Sequence, residues 1–138
     1  MEKFESLGPT LLRISLGVIF LAHSVYLKAV VFTLPGTAAF FESLGLPGLS
    51  AYAVFLIEAV GGLALILGVA VRPASLALGV VSLGAAWAHS ANGWLFTNEG
   101  GGWEYPLFLF VASLVQALLG AGAYRLPYGL HSKNPAWA

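Results

Sequence analysis

The chain has 138 residues, 59% of them hydrophobic and only 9% charged, with no net charge. Soluble domains carry about 25% charged residues, so this composition cannot cover a water-facing surface, and a zero balance leaves no basic footprint for nucleic acid. Cysteine is absent, which excludes disulfides, thiolate metal sites, iron–sulfur clusters and a thiol relay within the chain.

Spanning a bilayer takes about 20 mainly apolar residues in a helix, and four segments qualify. The opening "MEKFESLGPTLLRIS" carries two glutamates and lacks the basic start of a signal peptide, so the first segment, about 9–34, is read as a retained membrane helix. It contains Arg13 and, within "GVIFLAHSVYLKAVVF", His23 and Lys28. Residues 35–48 form a loop bracketed by Pro35-Gly36 and Pro47-Gly48, with "TAAFFESLG" expected as a short interfacial helix capped by Thr37. The second span, about 49–71, is interrupted only by Glu58, and the third, about 73–91, holds His89. A second loop, 92–103, precedes the fourth span, about 104–124, which begins on Glu104. Pro73 and Pro106 stand near helix starts, where a missing N–H costs little, and Gly120 and Gly122 end the last helix.

These runs are too long for strands and lack period-two alternation. The expected fold is all-α, a single membrane-embedded four-helix bundle over residues 1–138. Lys3, Arg13, Arg72, Arg125 and Lys133 fall on one side and only Lys28 on the other. The positive-inside rule then puts both termini in the cytoplasm of a bacterial-type plasma membrane, with both loops outward. Trp87, Trp94 and Trp103 cluster near the outer end as an aromatic belt would.

At about 1.5 Å per residue, His23 lies roughly 21 Å and His89 roughly 24 Å from the inner ends of their helices, and Glu58 roughly 13 Å below the outer surface. Together with Glu104 they form a candidate polar site in the outer half. Glu58 shares a face with Gly61 and Gly62, His89 with Ser82, Ala85 and Ala86, and helix four shows Ser113, Ala117 and Ala121 at four-residue intervals. His23 sits beside bulky Ile19 and Phe20, which leaves its direction open. An ionisable residue within a span costs about 2.5–3.5 kcal/mol on insertion scales, which favours function for Glu58. Lys28 and Glu99 read as a snorkelling side chain and a solvated loop residue, and Arg13, Arg72 and Arg125 as inner-face anchors.

The segments "RISLGVIFLAHS", "EAVGGLALILGVAVRPA", "AAWAH" and "EYPLFLF…LLGAGAY" follow the order of the DoxX family of small four-helix membrane proteins, a resemblance covering about residues 13–124. Its most specific part is Glu58, Gly61, Gly62, Gly68 and Arg72. The resemblance implies a plasma-membrane protein tied to quinone-dependent or thiol-linked redox systems. It supports His23, Glu58 and Glu104 as polar positions, with His89 at a less regular one. Two departures stand out. The family usually has glycine after the first histidine and lysine four residues on; here Ser24 follows, and Lys28 is five on, off the histidine's face in an α-helix. The usual serine and aspartate after the last glycine pair are replaced by Tyr124, Arg125, Leu126 and Pro127.

Several functions compete for this pattern. In the first, the chain is a quinone- or quinol-interacting redox subunit: Glu58 and a histidine exchange protons, Trp87 and Tyr105 wall the headgroup, and a partner protein supplies electrons. In the second, His23, Glu58, His89 and Glu104 ligate a divalent metal; haem between the two histidines rests on depth alone. A third is a non-catalytic scaffold whose polar residues specify helix pairing, and a fourth an acid–base isomerase or hydrolase for a lipid-soluble substrate. A transporter is least favoured, since four spans make a thin pore.

Overall fold

A computed structural model describes residues 2–126; Pro127 and Lys133 lie outside the described residues. The described residues are all helical or irregular, without strands: α1 (Glu2–Leu21), a π-helix (Ala22–Val31), α2 (Leu34–Ser43), α3 (Leu49–Leu67), α4 (Val71–Ala88), a 3-10 turn (Ser90–Asn92) and α5 (Glu104–Leu119). Three helices are long and apolar enough to cross a membrane: Phe4–Val31, Leu49–Leu67 and Val71–Ala88. At its 16 residues and about 1.5 Å per residue, α5 is shorter than a hydrocarbon core of about 30 Å.

Each expected span differs at its ends for a local reason. The first helix starts at Glu2 and takes Pro9 into its interior. Beside the proline, Ser6 O accepts from Thr10 Oγ1 at 2.9 Å and from Ala123 N at 3.1 Å. The second stops at Leu67, where Gly68 adopts φ 72 and ends the helix. Ala70, left-handed at φ 47, precedes α4, which begins at Val71, two residues before Pro73. The last stops at Leu119 on Gly120, φ 78, rather than near Tyr124.

Thr33, not Thr37, caps α2. Its Oγ1 accepts from Gly36 N at 3.2 Å, with Pro35 inside the first turn, where its fixed φ suits a helix start. Thr37 instead turns its hydroxyl back onto the Thr33 carbonyl at 2.9 Å.

The long helices pack as antiparallel neighbours, α1 on α3, α3 on α4, α4 on α5 and α5 on α1. Lipid tails are as apolar as leucine, so close contact rather than the hydrophobic effect holds such helices together. The α1–α3 crossing needs glycine: a Cβ on Gly17 would stand 2.7 Å from the Gly62 carbonyl oxygen. Gly61 abuts Leu78 of α4, so the paired glycines admit a different neighbour on each side. Leu16, Phe20, Leu65, Leu78 and Leu109 fill the centre. Val80 and Leu118, 70% and 78% exposed, point outward, as side chains facing lipid do.

Arg13 corrects the sequence reading most sharply. It is not an anchor at the rim but wholly buried, 0% exposed. Nε donates to Ala121 O at 2.8 Å, Nη1 to Leu65 O at 2.7 Å and Ile66 O at 2.6 Å, and Nη2 to Tyr124 O at 2.7 Å and Ala123 O at 3.2 Å. The last carbonyls of a helix lack intrahelical donors and carry its negative dipole end. One guanidinium therefore closes the end of α3 and the segment following α5 together.

Candidate functional site

At the opposite end of the bundle the helices diverge around a cavity of about 590 Å³. Helix α3 brings Glu58, the first long helix His23 and Lys28, α4 Ser82 and His89, and α5 Tyr105. The loop after α4 roofs it with Phe96, Gly101 and Gly102.

The centre of the site is an ion pair. Lys28 Nζ donates to Glu58 Oε2 at 2.6 Å, with the two side chains 17% and 7% exposed. Lys28 therefore does not snorkel away, nor does it leave the histidine's face. The reason is the π-helix from Ala22 to Val31, in which residues five apart are bonded, as in Phe32 N to Leu27 O at 2.8 Å. In that geometry the five-residue step from His23 to Lys28 returns to the same side, and both line the cavity. No propensity in "AHSVYLKAVV" signals a π-helix; the altered His–Lys spacing was the visible trace.

The histidines share one arrangement. His23 Nδ1 lies 2.9 Å from Ile19 O and His89 Nδ1 3.0 Å from Gly100 O. A carbonyl only accepts, so His23 carries its proton on Nδ1 and leaves Nε2 as the lone-pair atom in the neutral form, while His89 Nδ1 also meets the amide donor Asn92 Nδ2 at 3.4 Å. His23 stacks on Tyr105 with ring centroids 6.0 Å apart, and it lines the same cavity as Glu58. Its neighbour Phe20 turns into the core, 2% exposed, rather than toward lipid.

The roof is tied down from several points. Asn92 Nδ2 donates to Gly100 O at 3.1 Å and Gly101 O at 2.9 Å, and Asn98 Nδ2 to Asn92 O at 2.8 Å. Glu104 Oε1 accepts from Phe96 N at 2.9 Å. Glu104 thus organises the roof and lines a neighbouring groove rather than the polar cavity.

Two expectations change on this geometry, and a third, Tyr105, keeps its place. Trp87 is 56% exposed and is not among the cavity's walls, because residues two apart on a helix face different ways and His89 takes the inward direction. Tyr105 does line the cavity. The four expected metal ligands are not gathered: among the described residues no group of three or more His, Asp or Glu side chains is placed to hold a metal. Glu58 is engaged by Lys28, Glu104 by Phe96, and each histidine by a carbonyl.

A multi-pass helical membrane protein with His23, Lys28, Glu58 and His89 drawn into one cavity is the class that this fold and site define. The chain belongs to the DoxX family, whose model matches residues 8–91. The matched segment contains Arg13, His23, Lys28, Glu58 and His89, while α5 with Tyr105 follows it. The chain is also similar to the Bacillus subtilis protein named "Putative oxidoreductase CatD", with 30% identity over 121 residues, 88% of this chain and 85% of that one. No solved structure matches.

Proposed function

We propose that this chain is the quinone- or quinol-interacting subunit of a membrane redox system, with the cavity as the headgroup site opening toward the outer face. The observation carrying this reading is the Lys28–Glu58 pair turned into a cavity that also receives His23, His89 and Tyr105. A quinone ring needs apolar and aromatic walls, donors for its carbonyl oxygens and acceptors for the hydroxyls of its reduced form. Lys28 is a donor, Glu58 and His23 Nε2 are acceptors, and Phe20, Phe96 and Tyr105 are walls. Reduction of a quinone takes up protons along with electrons. The chain's part is to hold the ring and exchange those protons through Glu58, Lys28 and the histidines; the electrons come from a partner protein. The oxidoreductase name of the Bacillus subtilis relative agrees with a redox role.

Native mass spectrometry of protein released from membranes into mild detergent tests this. The wild-type chain is expected to carry a quinone-sized adduct that Glu58→Gln loses, with affinity for added quinone falling at least about tenfold and helix content unchanged. A wild-type chain that carries no quinone and takes up none overturns the reading and leaves the scaffold role, with the ion pair serving only to join α1 to α3.

A further inference from the structure

We infer that the headgroup cavity communicates, past the side chains of Phe96 and Tyr105, with a lipid-facing groove along α5, which takes the apolar chain of the same ligand. The substrate class is thereby narrowed from quinones in general to membrane-resident quinones carrying a hydrocarbon tail. This inference rests on the headgroup reading above.

A second hollow of about 490 Å³ lies against the outer face of α5. Its walls are Trp94, Phe96, Leu107, Phe108 and Val111, with the Tyr105 ring and the Glu104 carboxylate at its upper end. Two of these residues, Phe96 and Tyr105, also wall the polar cavity. The two spaces therefore adjoin at these two aromatic residues, which form their common partition. One of these rings stacks on His23, and the other belongs to the residue whose backbone N–H is held by Glu104.

The chemistry changes across that partition. On the inner side stand His23, Lys28, Glu58 and His89; on the outer side the helix presents Leu107, Phe108 and Val111 at helical spacing. Phe108 and Val111 are 65% and 49% exposed, on the face opposite buried Leu109, Ala112 and Ser113. From Tyr105 to Val111 the groove runs roughly 9 Å along the axis at about 1.5 Å per residue, directed from the roofed end toward the middle of the apolar band. A polar pocket joined at one wall to an apolar trough suits a molecule with a small hydrogen-bonding head and a single flexible chain. It gives a water-soluble quinone no use for the trough. Phe96 and Tyr105 are then the lateral passage, and the ligand arrives from the lipid rather than through the roof.

The test compares two benzoquinones with identical rings, one bearing a decyl chain and one a methyl group in its place. Both are titrated into the full chain in nanodiscs of one phospholipid, with affinity expressed on the lipid-partitioned concentration. Lipid is itself apolar, so the chain's advantage comes only from packing in the groove, and about tenfold is expected. Val111→Trp, which fills the trough at an exposed position, should bring the ratio of the two affinities to about one, and Leu107→Trp should repeat this if the first variant folds poorly. A diazirine at the chain's end should label peptides spanning residues 107–111 in the wild type. A ratio that survives both substitutions, or labelling confined to other helices, overturns the inference. Binding of neither quinone sinks the headgroup reading instead, and a decyl alcohol with the same diazirine then judges the groove alone. Labelling at 107–111 that Val111→Trp abolishes keeps the groove as a chain site, and its absence removes it.

Discussion

The bundle buries a cation near each end, and the two are treated in opposite ways. Arg13 sits among five backbone carbonyls with no carboxylate among the partners described. Lys28 has one carboxylate at 2.6 Å and faces a space of about 590 Å³. An arginine fork saturated by helix ends is tied into the fold and has nothing left to offer a ligand. A lysine with a single partner keeps donor capacity, and its carboxylate keeps lone pairs. Burial alone does not separate a structural charge from a working one. The number of fixed partners and the adjoining volume do.

The strongest way to break that contrast is at Arg13. Arg13→Met strands several carbonyls at the end of α3 and beyond α5, and each unsatisfied group costs about 1–3 kcal/mol. A loss of about 3–5 kcal/mol is expected in reversible unfolding from detergent, with Arg13→Lys recovering little because an ammonium cannot reproduce the planar fork. Wild-type stability in Arg13→Met would show the carbonyl cluster to be solvated and the contrast unfounded. Lys28→Met should do the reverse, abolishing quinone binding while costing about 1–2 kcal/mol, because water or a proton can reach the stranded Glu58 from the cavity. A larger stability loss there than at Arg13 would make the pair a structural clamp.

The smallest effect concerns the π-helix. Removing Tyr26, an exposed residue of that segment, places the lysine four residues after the histidine, where an ordinary α-helix keeps both on one side. Quinone affinity should then stay within about threefold of wild type. Loss of binding on that deletion would mean that the π geometry itself, not the alignment of His23 with Lys28, shapes the site.

Sequence and structure diverge at particular residues for identifiable reasons. Glu58, His23 and His89 were legible because an ionisable group within an apolar helix is conspicuous, and the small-residue faces around Glu58 and His89 gave the direction in which those two point. Trp87 does not line the cavity, because a belt of aromatics fixes depth but not helical phase. Lys28 falls off the histidine's face on α-helical periodicity, yet the stretch winds with five-residue bonds. Glu104 had the right depth, yet a carboxylate beginning a helix next to an irregular loop finds backbone donors nearby, and Phe96 N took it.

What the sequence determined by itself is the class of chain and the location of its polar residues. Hydropathy and helix length depend on local composition, so the all-α membrane architecture, the helix-ending glycines and the depths of His23, Glu58 and His89 follow without knowledge of neighbours. Only the tertiary structure decided which of those groups meet. Whether Lys28 pairs with Glu58, whether Arg13 reaches the end of another helix, and whether Phe96 and Tyr105 stand between a polar cavity and an apolar trough all depend on helix rotation and crossing. Those are set by contacts such as Gly17 against Gly62, between residues distant in the chain, and no pattern local to one segment encodes them.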